Sequence, residues 1–258
     1  AVEKARKVGM GVVTMHMSGH LGAVGHFAML AAEQDMVGVC MTAGGDGVLP
    51  TFGAEPRLGA NPISLAAPAR NEAPVLFDAA TSAIAGNKVW LAERVGADLL
   101  PGWIADTGGN PILEETPVPE RGQYSQRPLG GTREEGSHKG YGFAMMAEIM
   151  ATLLSGAVPS MLDPKSGAHH YFAAYSIDAF TDVDEFNVGA ASDTDGDANT
   201  LAENTANGVS AEITALATDA DGSTNTVTYG CLVYTFDAAD DLTRVHPIGR
   251  HTLLHNYA

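Results

Sequence analysis

Between residues 8 and 177 short apolar runs of strand length alternate with helix-forming segments, and this alternation ends near residue 187. An alternating pattern of this kind predicts an α/β fold and excludes an all-helical bundle for this part of the chain. Residues 8–15, 36–41, 74–78 and 170–177 read as strands, and residues 23–33, 82–95 and 141–154 as helices, with Ser82 placed to cap the second helix. In the third, Phe143, Met146, Met150, Leu153 and Leu154 share one face, and Gly156 is placed to close it. The stretch 42–61 holds seven Gly or Pro and reads as a long irregular loop, the kind of segment that carries function in compact domains.

After the break the chain turns to Asp, Asn, Thr, Gly and Ala. Residues 1–186 carry 12 basic and 21 acidic side chains, and residues 187–258 carry 2 and 10. The boundary divides the chain into a domain at 1–186 and an acidic segment at 187–258. In the acidic segment residues 209–216 and 226–236 alternate like strands around a turn at 219–225, a β-rich hairpin signal. The formal net charge of −17 argues against nucleic acid and anionic membranes as partners, since both select basic surfaces. No run of 18 apolar residues is present, so no membrane-spanning helix is expected. Cys40 and Cys231 are too few and too far apart for a disulfide scaffold. The chain opens on Ala1 and reads as beginning inside a longer protein.

Several residues are chemically suggestive. His20, in Ser18-Gly-His20-Leu-Gly22, lies in a Gly turn between a strand and a helix, where α/β folds expose reactive side chains. His16 and His20 are four apart, but Met17 stands where a zinc-protease helix needs Glu. Residues 130–139 lack the spacing of a phosphate loop, and no G-x-G-x-x-G follows a strand, so a Rossmann cofactor site is not supported. Lys139 and Gly140 open the third helix, where free backbone N–H groups favour an anion; a solvated lysine is the competing reading. Asp193, Asp195 and Asp197 alternate as calcium ligands do, yet Ala198 and Asn204 break the EF-hand register.

Ser18-Gly-His20-Leu-Gly22, Gly59-Ala-Asn61-Pro62, Asp78-Ala-Ala-Thr81-Ser82, Pro101-Gly-Trp103 and Lys139-Gly-Tyr141-Gly142 occur in one order. In this the chain resembles the malate/L-lactate dehydrogenase family, which includes ureidoglycolate and sulfolactate dehydrogenases and piperideine-2-carboxylate reductases. The resemblance runs from Ala1 to about Phe186 and implies a non-Rossmann α/β fold of the malate/L-lactate dehydrogenase type, followed by the β-rich acidic C-terminal tail. It implies NAD or NADP as cofactor, a small 2-hydroxy acid or 2-oxo acid as substrate, a cytoplasmic setting and a homodimer. His20 matches the family's proton acceptor; histidine suits removal of a 2-hydroxyl proton near neutral pH. Thr42 and Gly44 fall on a cofactor-contacting stretch, with Ala43 where the family commonly has Asn. Asp78, Ala79 and Ala80 match a nucleotide-contacting segment, and Lys139 and Gly140 the start of a cofactor-proximal helix. The family's N-terminal helical segment has no counterpart before Ala1, and its C-terminal part is not recognisable after Phe186.

The acidic segment instead resembles a bacterial cadherin-like repeat at Glu203-Asn204, in residues 217–222 and at Val227-Thr-Tyr229. Glu203, Asp219 and Asp221 match that family's calcium-binding acids. This likeness implies an alternative, a calcium-binding extracellular adhesion module fused to a non-catalytic dehydrogenase-like scaffold. A third reading is a partial dehydrogenase that binds cofactor without turnover.

Overall fold

The computed structural model describes residues 1–69, 73–184 and 186, together with the backbone of two strands at 211–218 and 224–231. Its centre is a five-stranded sheet in the order β1-β7-β2-β3-β4, in which every neighbouring pair is antiparallel. The strands are β1 (Met10–Ser18), β2 (Met36–Ala43), β3 (Ile63–Ala67), β4 (Val75–Ala79) and β7 (Ala168–Ser176). Helix α1 (Val2–Val8) precedes β1, and α2 (Val24–Ala32) crosses from β1 to β2. Since β7 is antiparallel to both, β1 and β2 run parallel to each other with β7 inserted between them.

Side-chain alternation along β2 and β7 sends successive residues to opposite faces and so sorts the core. Cys40 and Phe172 face α2, where they meet Val24, Ala28 and Ala32. Ala43, Tyr171 and Ala173 face the other layer and meet Ala151. Helix α2 lies very close to the sheet: a Cβ on Gly38 would sit 2.1 Å from the Ala28 carbonyl oxygen, so only glycine fits there. A smaller core, built from Ile84, Val89, Leu99 and Ile104, surrounds α3 (Gly86–Val95) and the short pair β5 (Ile104–Ala105) and β6 (Ser125–Gln126).

Three expectations need correction. Ser82 does not cap α3: the helix starts at Gly86 behind an extended Ala85, and the Ser82 hydroxyl donates to the Ile84 carbonyl at 2.8 Å. Ile84 is instead buried in the small core ahead of the helix. The helix expected at 141–154 is α4 (Ser137–Ala147), continued by a π-turn over Glu148–Thr152 and a 3-10 turn over Leu153–Ser155; Gly156, left-handed, does end it. Its buried stripe is small (Gly140, Ala144, Ala147, Ala151), whereas Phe143, Met146, Leu153 and Leu154 are about half exposed. Small residues let the helix sit close to the sheet. Helix α1 and strand β3 had no expectation.

In the acidic segment β8 (Ala211–Thr218) and β9 (Thr224–Cys231) pair antiparallel, as the alternation there suggests. Asp193, Asp195, Glu203, Asp219 and Asp221 lie outside the described residues.

Candidate functional site

A cleft of about 930 Å³ opens along one side of the sheet, bordered by the turn after β1, the start of α2, the ends of β2 and β4, and the start of α3. Small-molecule sites commonly enclose roughly 300–1,000 Å³. His20, Thr42, Gly44, Asp78, Ala79 and Ala80 all line it. Strand order explains the convergence: β1, β2 and β4 deliver their C-terminal ends, or the loops just beyond them, to one rim of the sheet.

His20 is exposed in the β1–α2 turn, as its Gly-rich surroundings suggest. Its Nδ1 accepts a hydrogen bond from the Gly22 N–H at 2.9 Å. In the neutral ring this places the hydrogen on Nε2. Asp78 has a structural duty as well as a place in the cleft: its Oδ2 accepts from the Gly25 N–H at 2.7 Å. Ala23, the residue before α2, makes no side-chain cap, so a carboxylate from β4 satisfies a donor at the positive end of the helix. Burial pushes the nearby Cys40 thiol up to about 12, with the Asp78 charge adding to the effect.

Two buried histidines anchor the turn that carries His20. His169 accepts from the Met17 N–H through Nδ1 at 3.3 Å and meets the Ser166 hydroxyl through Nε2 at 2.9 Å. Because the Ser166 hydroxyl donates to the Val158 carbonyl, it must accept from His169, which fixes a neutral Nε2–H ring. Met17 is left-handed, at φ 54, where the β1–β7 register shifts between Met15 and Ser18. His170 lies on the opposite face of β7, between the Thr42 hydroxyl at 3.1 Å and the Gly19 carbonyl at 3.2 Å. Burial lowers the pKa of both rings; for His170 the Gly19 carbonyl opposes this, while His169 and His20 add to it. Neither histidine stood out in the sequence, although adjacent histidines inside an apolar strand were the available signal.

Asn61 joins the cleft to α4. Its Oδ1 accepts from the Gly44 N–H at 3.2 Å, and its Nδ2 donates to the Ala144 carbonyl and to Glu148 Oε2, each at 3.0 Å. Asn61 is buried and sits at φ 33, a conformation that asparagine tolerates better than most residues.

Lys139 and Gly140 are not among the cleft-lining residues. Lys139 is exposed in the first turn of α4, and Gly140 is a packing residue, since a Cβ there would lie 2.3 Å from the Leu129 carbonyl oxygen. The positive end at the rim belongs to α3: Gly86, Asn87 and Lys88 line the cleft, and their helix start suits an anionic group. Sequence reading passed over Lys88 because it took α3 to begin at Ser82. Apolar lining from Leu21, Leu76, Ile84 and Trp103, a positive helix end and an exposed imidazole thus occur together, a combination that fits a nicotinamide dinucleotide. His16 lies on β1 rather than on a helix with His20, and no group of three or more potential metal ligands occurs among the described residues.

Known proteins resemble this chain in sequence and in fold. The malate dehydrogenase of Pyrococcus abyssi is 40% identical over 192 residues, covering 72% of this chain and 52% of that protein. The malate/(S)-sulfolactate dehydrogenase of Methanothermus fervidus is 35% identical over 193 residues, covering 72% and 54%. Among solved structures, malate dehydrogenase from Entamoeba histolytica superposes with a TM-score of 0.65 at 34% identity, over 72% of this chain and 55% of that one. The chain spans about half the length of the curated relatives it matches. A family profile described as malate/L-lactate dehydrogenase matches residues 1–195, three-quarters of the chain and the whole of the cleft. With that match, and relatives whose sequence and sheet both align, the chain belongs to the malate/L-lactate dehydrogenase family.

Proposed function

We propose that this chain is the dinucleotide-binding part of an oxidoreductase that moves a hydride between NAD or NADP and a small 2-hydroxy acid, with His20 as the proton acceptor. The observation that carries the reading is the convergence of His20, Thr42, Gly44 and residues 78–80 on one cleft. When bound, the nicotinamide supplies the two-electron chemistry. Thr42, Gly44, Asp78, Ala79 and Ala80 hold the dinucleotide, and the start of α3 with Lys88 takes an anionic group. Lys139 and Gly140, matched in the family, open α4 outside the lining of this cleft; Gly140 packs on Leu129, and Lys139 offers an exposed positive charge to an anionic group of the cofactor or substrate. His20 exchanges the proton of the 2-hydroxyl group. The lone pair of its neutral ring is on Nδ1 and is held by the Gly22 N–H, so proton uptake coincides with release of that amide. The relatives' names support a hydroxy-acid or cyclic imino-acid substrate, and the family likeness supports a cytoplasmic homodimer. Among the described residues no helix is long and apolar enough to cross a membrane.

Separate titrations with NADH and NADPH, followed by oxidation assays on malate, lactate and sulfolactate, test the reading. His20→Ala is expected to lower turnover about 10²–10⁴-fold while leaving dinucleotide affinity within a few-fold, because a base acts on the chemical step. Failure of both dinucleotides to bind at millimolar concentration overturns the proposal. Turnover retained in His20→Ala removes His20 from the mechanism.

A further inference from the structure

We propose that His170 fixes the Thr42 hydroxyl as a hydrogen-bond acceptor toward the cleft, where it receives the carboxamide N–H of the nicotinamide. The inference rests on the dinucleotide reading above and assigns the orientation of the cofactor within it. His170 is fully buried and pairs directly with Thr42 across the β2–β7 ladder. Its Nε2 faces the Gly19 carbonyl oxygen, which can only accept, so Nε2 carries the hydrogen. The buried ring is neutral, and Nδ1 therefore holds a lone pair. The Thr42 hydroxyl, 3.1 Å away, must give its single hydrogen to that lone pair. The Thr42 backbone N–H is also committed, to the Pro62 carbonyl at 3.0 Å. Only lone pairs on Oγ1 remain for a ligand.

An acceptor in this place repels phosphate and carboxylate oxygens and selects an N–H or O–H group. A single imidazole separates Thr42 from Gly19, the neighbour of His20, so Thr42 stands at the end of the cleft where the reacting ring must lie. The donor that a nicotinamide ring carries is its carboxamide. His170 is thus a positioning residue with two outputs, the polarity of Thr42 and the position of the Gly19–His20 turn. Glutamine can reproduce both, because its amide nitrogen can donate to Gly19 and its oxygen can accept from Thr42. Phenylalanine can reproduce neither.

Two measurements on the full chain test this. Long-range ¹H–¹⁵N correlation spectra of histidine-labelled protein are expected to show His170 as a neutral Nε2–H tautomer; an Nδ1–H or charged ring overturns the assignment. Equilibrium binding is then compared for NADH or NADPH, whichever binds, and its 3-acetylpyridine analogue, whose acetyl group has no N–H to donate. The chain is expected to prefer the carboxamide by a few-fold to about tenfold, the range of one neutral hydrogen bond. The preference should persist in Thr42→Ser and His170→Gln and fall below about twofold in Thr42→Val and His170→Phe. Equal affinity for the two dinucleotides, or a preference that survives Thr42→Val, overturns the acceptor role. If no dinucleotide binds any form, the functional reading falls and the carboxamide contact with it, while the tautomer spectrum still decides the role of His170.

Discussion

Replacing Asn61 by aspartate changes one atom type at a buried junction and leaves the shape almost unaltered. The side chain still accepts from the Gly44 N–H, but an oxygen replaces the nitrogen that donates to the Ala144 carbonyl and to Glu148 Oε2. Two donated bonds are lost, about 1 kcal/mol for the neutral carbonyl and about 1.5–3 for the carboxylate. Two carboxylates also come to face each other at the present 3.0 Å separation. At an effective dielectric of about 20 their repulsion is about 5 kcal/mol. Proton uptake by one carboxyl group relieves it at a cost of about 4 kcal/mol at pH 7, starting from a carboxylate near 3.9. That proton also bridges the two carboxyl groups and so replaces the bond to Glu148, which leaves the lost carbonyl bond and the cost of protonation: Asn61→Asp should lose about 5 kcal/mol at pH 7, much of the stability of an ordinary domain.

Urea unfolding against pH measures this. The introduced pair binds a proton more tightly folded than unfolded, so its penalty is fully present at neutral pH. The gap to the parent chain should then shrink by about 1.4 kcal/mol per unit as the pH falls through the acidic range. Adding Glu148→Gln supplies an amide donor to the new carboxylate and should recover at least about 2 kcal/mol. A loss below about 1 kcal/mol, or no recovery in the double variant, would refute the junction as the tie between the Gly44 turn and α4.

Other outcomes follow from the same geometry. His169 and His170 titrate near about 6.5 when unfolded and lower when folded, so they contribute stability that is held above that pH and lost as the pH falls below it. Urea midpoints between pH 8 and 5 should show this fall, and His169→Gln should flatten it; identical slopes in the two proteins would remove His169 from the account. On α4, Gly140→Ala forces a Cβ onto the Leu129 backbone and should cost on the order of 1–3 kcal/mol, whereas Gly142→Ala, with nothing within 4 Å, should gain about 0.5–1. Thermal melts of the pair read the opposite signs directly. Cys40, buried and held near 12, should resist alkylation at pH 8 until the chain unfolds; peptide mapping separates it from Cys231, and prompt labelling of native Cys40 would contradict its burial.

Local patterns made part of this molecule legible. The apolar run before the Gly turn is β1, the segment after it is α2, and residues 36–41 are the body of β2. The Gly turn drew attention to His20, and the family resemblance to Thr42, Gly44 and residues 78–80; all of them line one cleft, where strands end at a shared rim. Strand β3 was missed because Ile63–Ala67 is short and follows Pro62 within a Gly- and Pro-rich stretch. The start of α3 was misplaced because serine at 82 looks like a cap while its hydroxyl in fact serves Ile84. The roles of His169, His170 and Asn61 could not be read locally at all. Their partners lie 152, 128 and 87 residues away for Met17, Thr42 and Glu148, and only the strand order brings them together.

The insertion of β7 between β1 and β2 also sets a timetable for folding. Met10 pairs with Tyr175 and Val37 with that same residue, so neither early strand has a neighbour on its inner edge until the last strand of the sheet arrives. A ribosome adding about 5–20 residues per second needs several seconds or more to cover that interval. Throughout it β1, α2 and the β2–β3–β4 meander can form locally, but the turn bearing His20 lacks both histidines that fix it. The chain closes its largest loop last, and closing a long loop slows a fold more than it weakens it. Assembly of the cleft is therefore tied to completion of the sheet: a nascent chain that stops short of residue 168 has the strands of a dehydrogenase without a working turn between them.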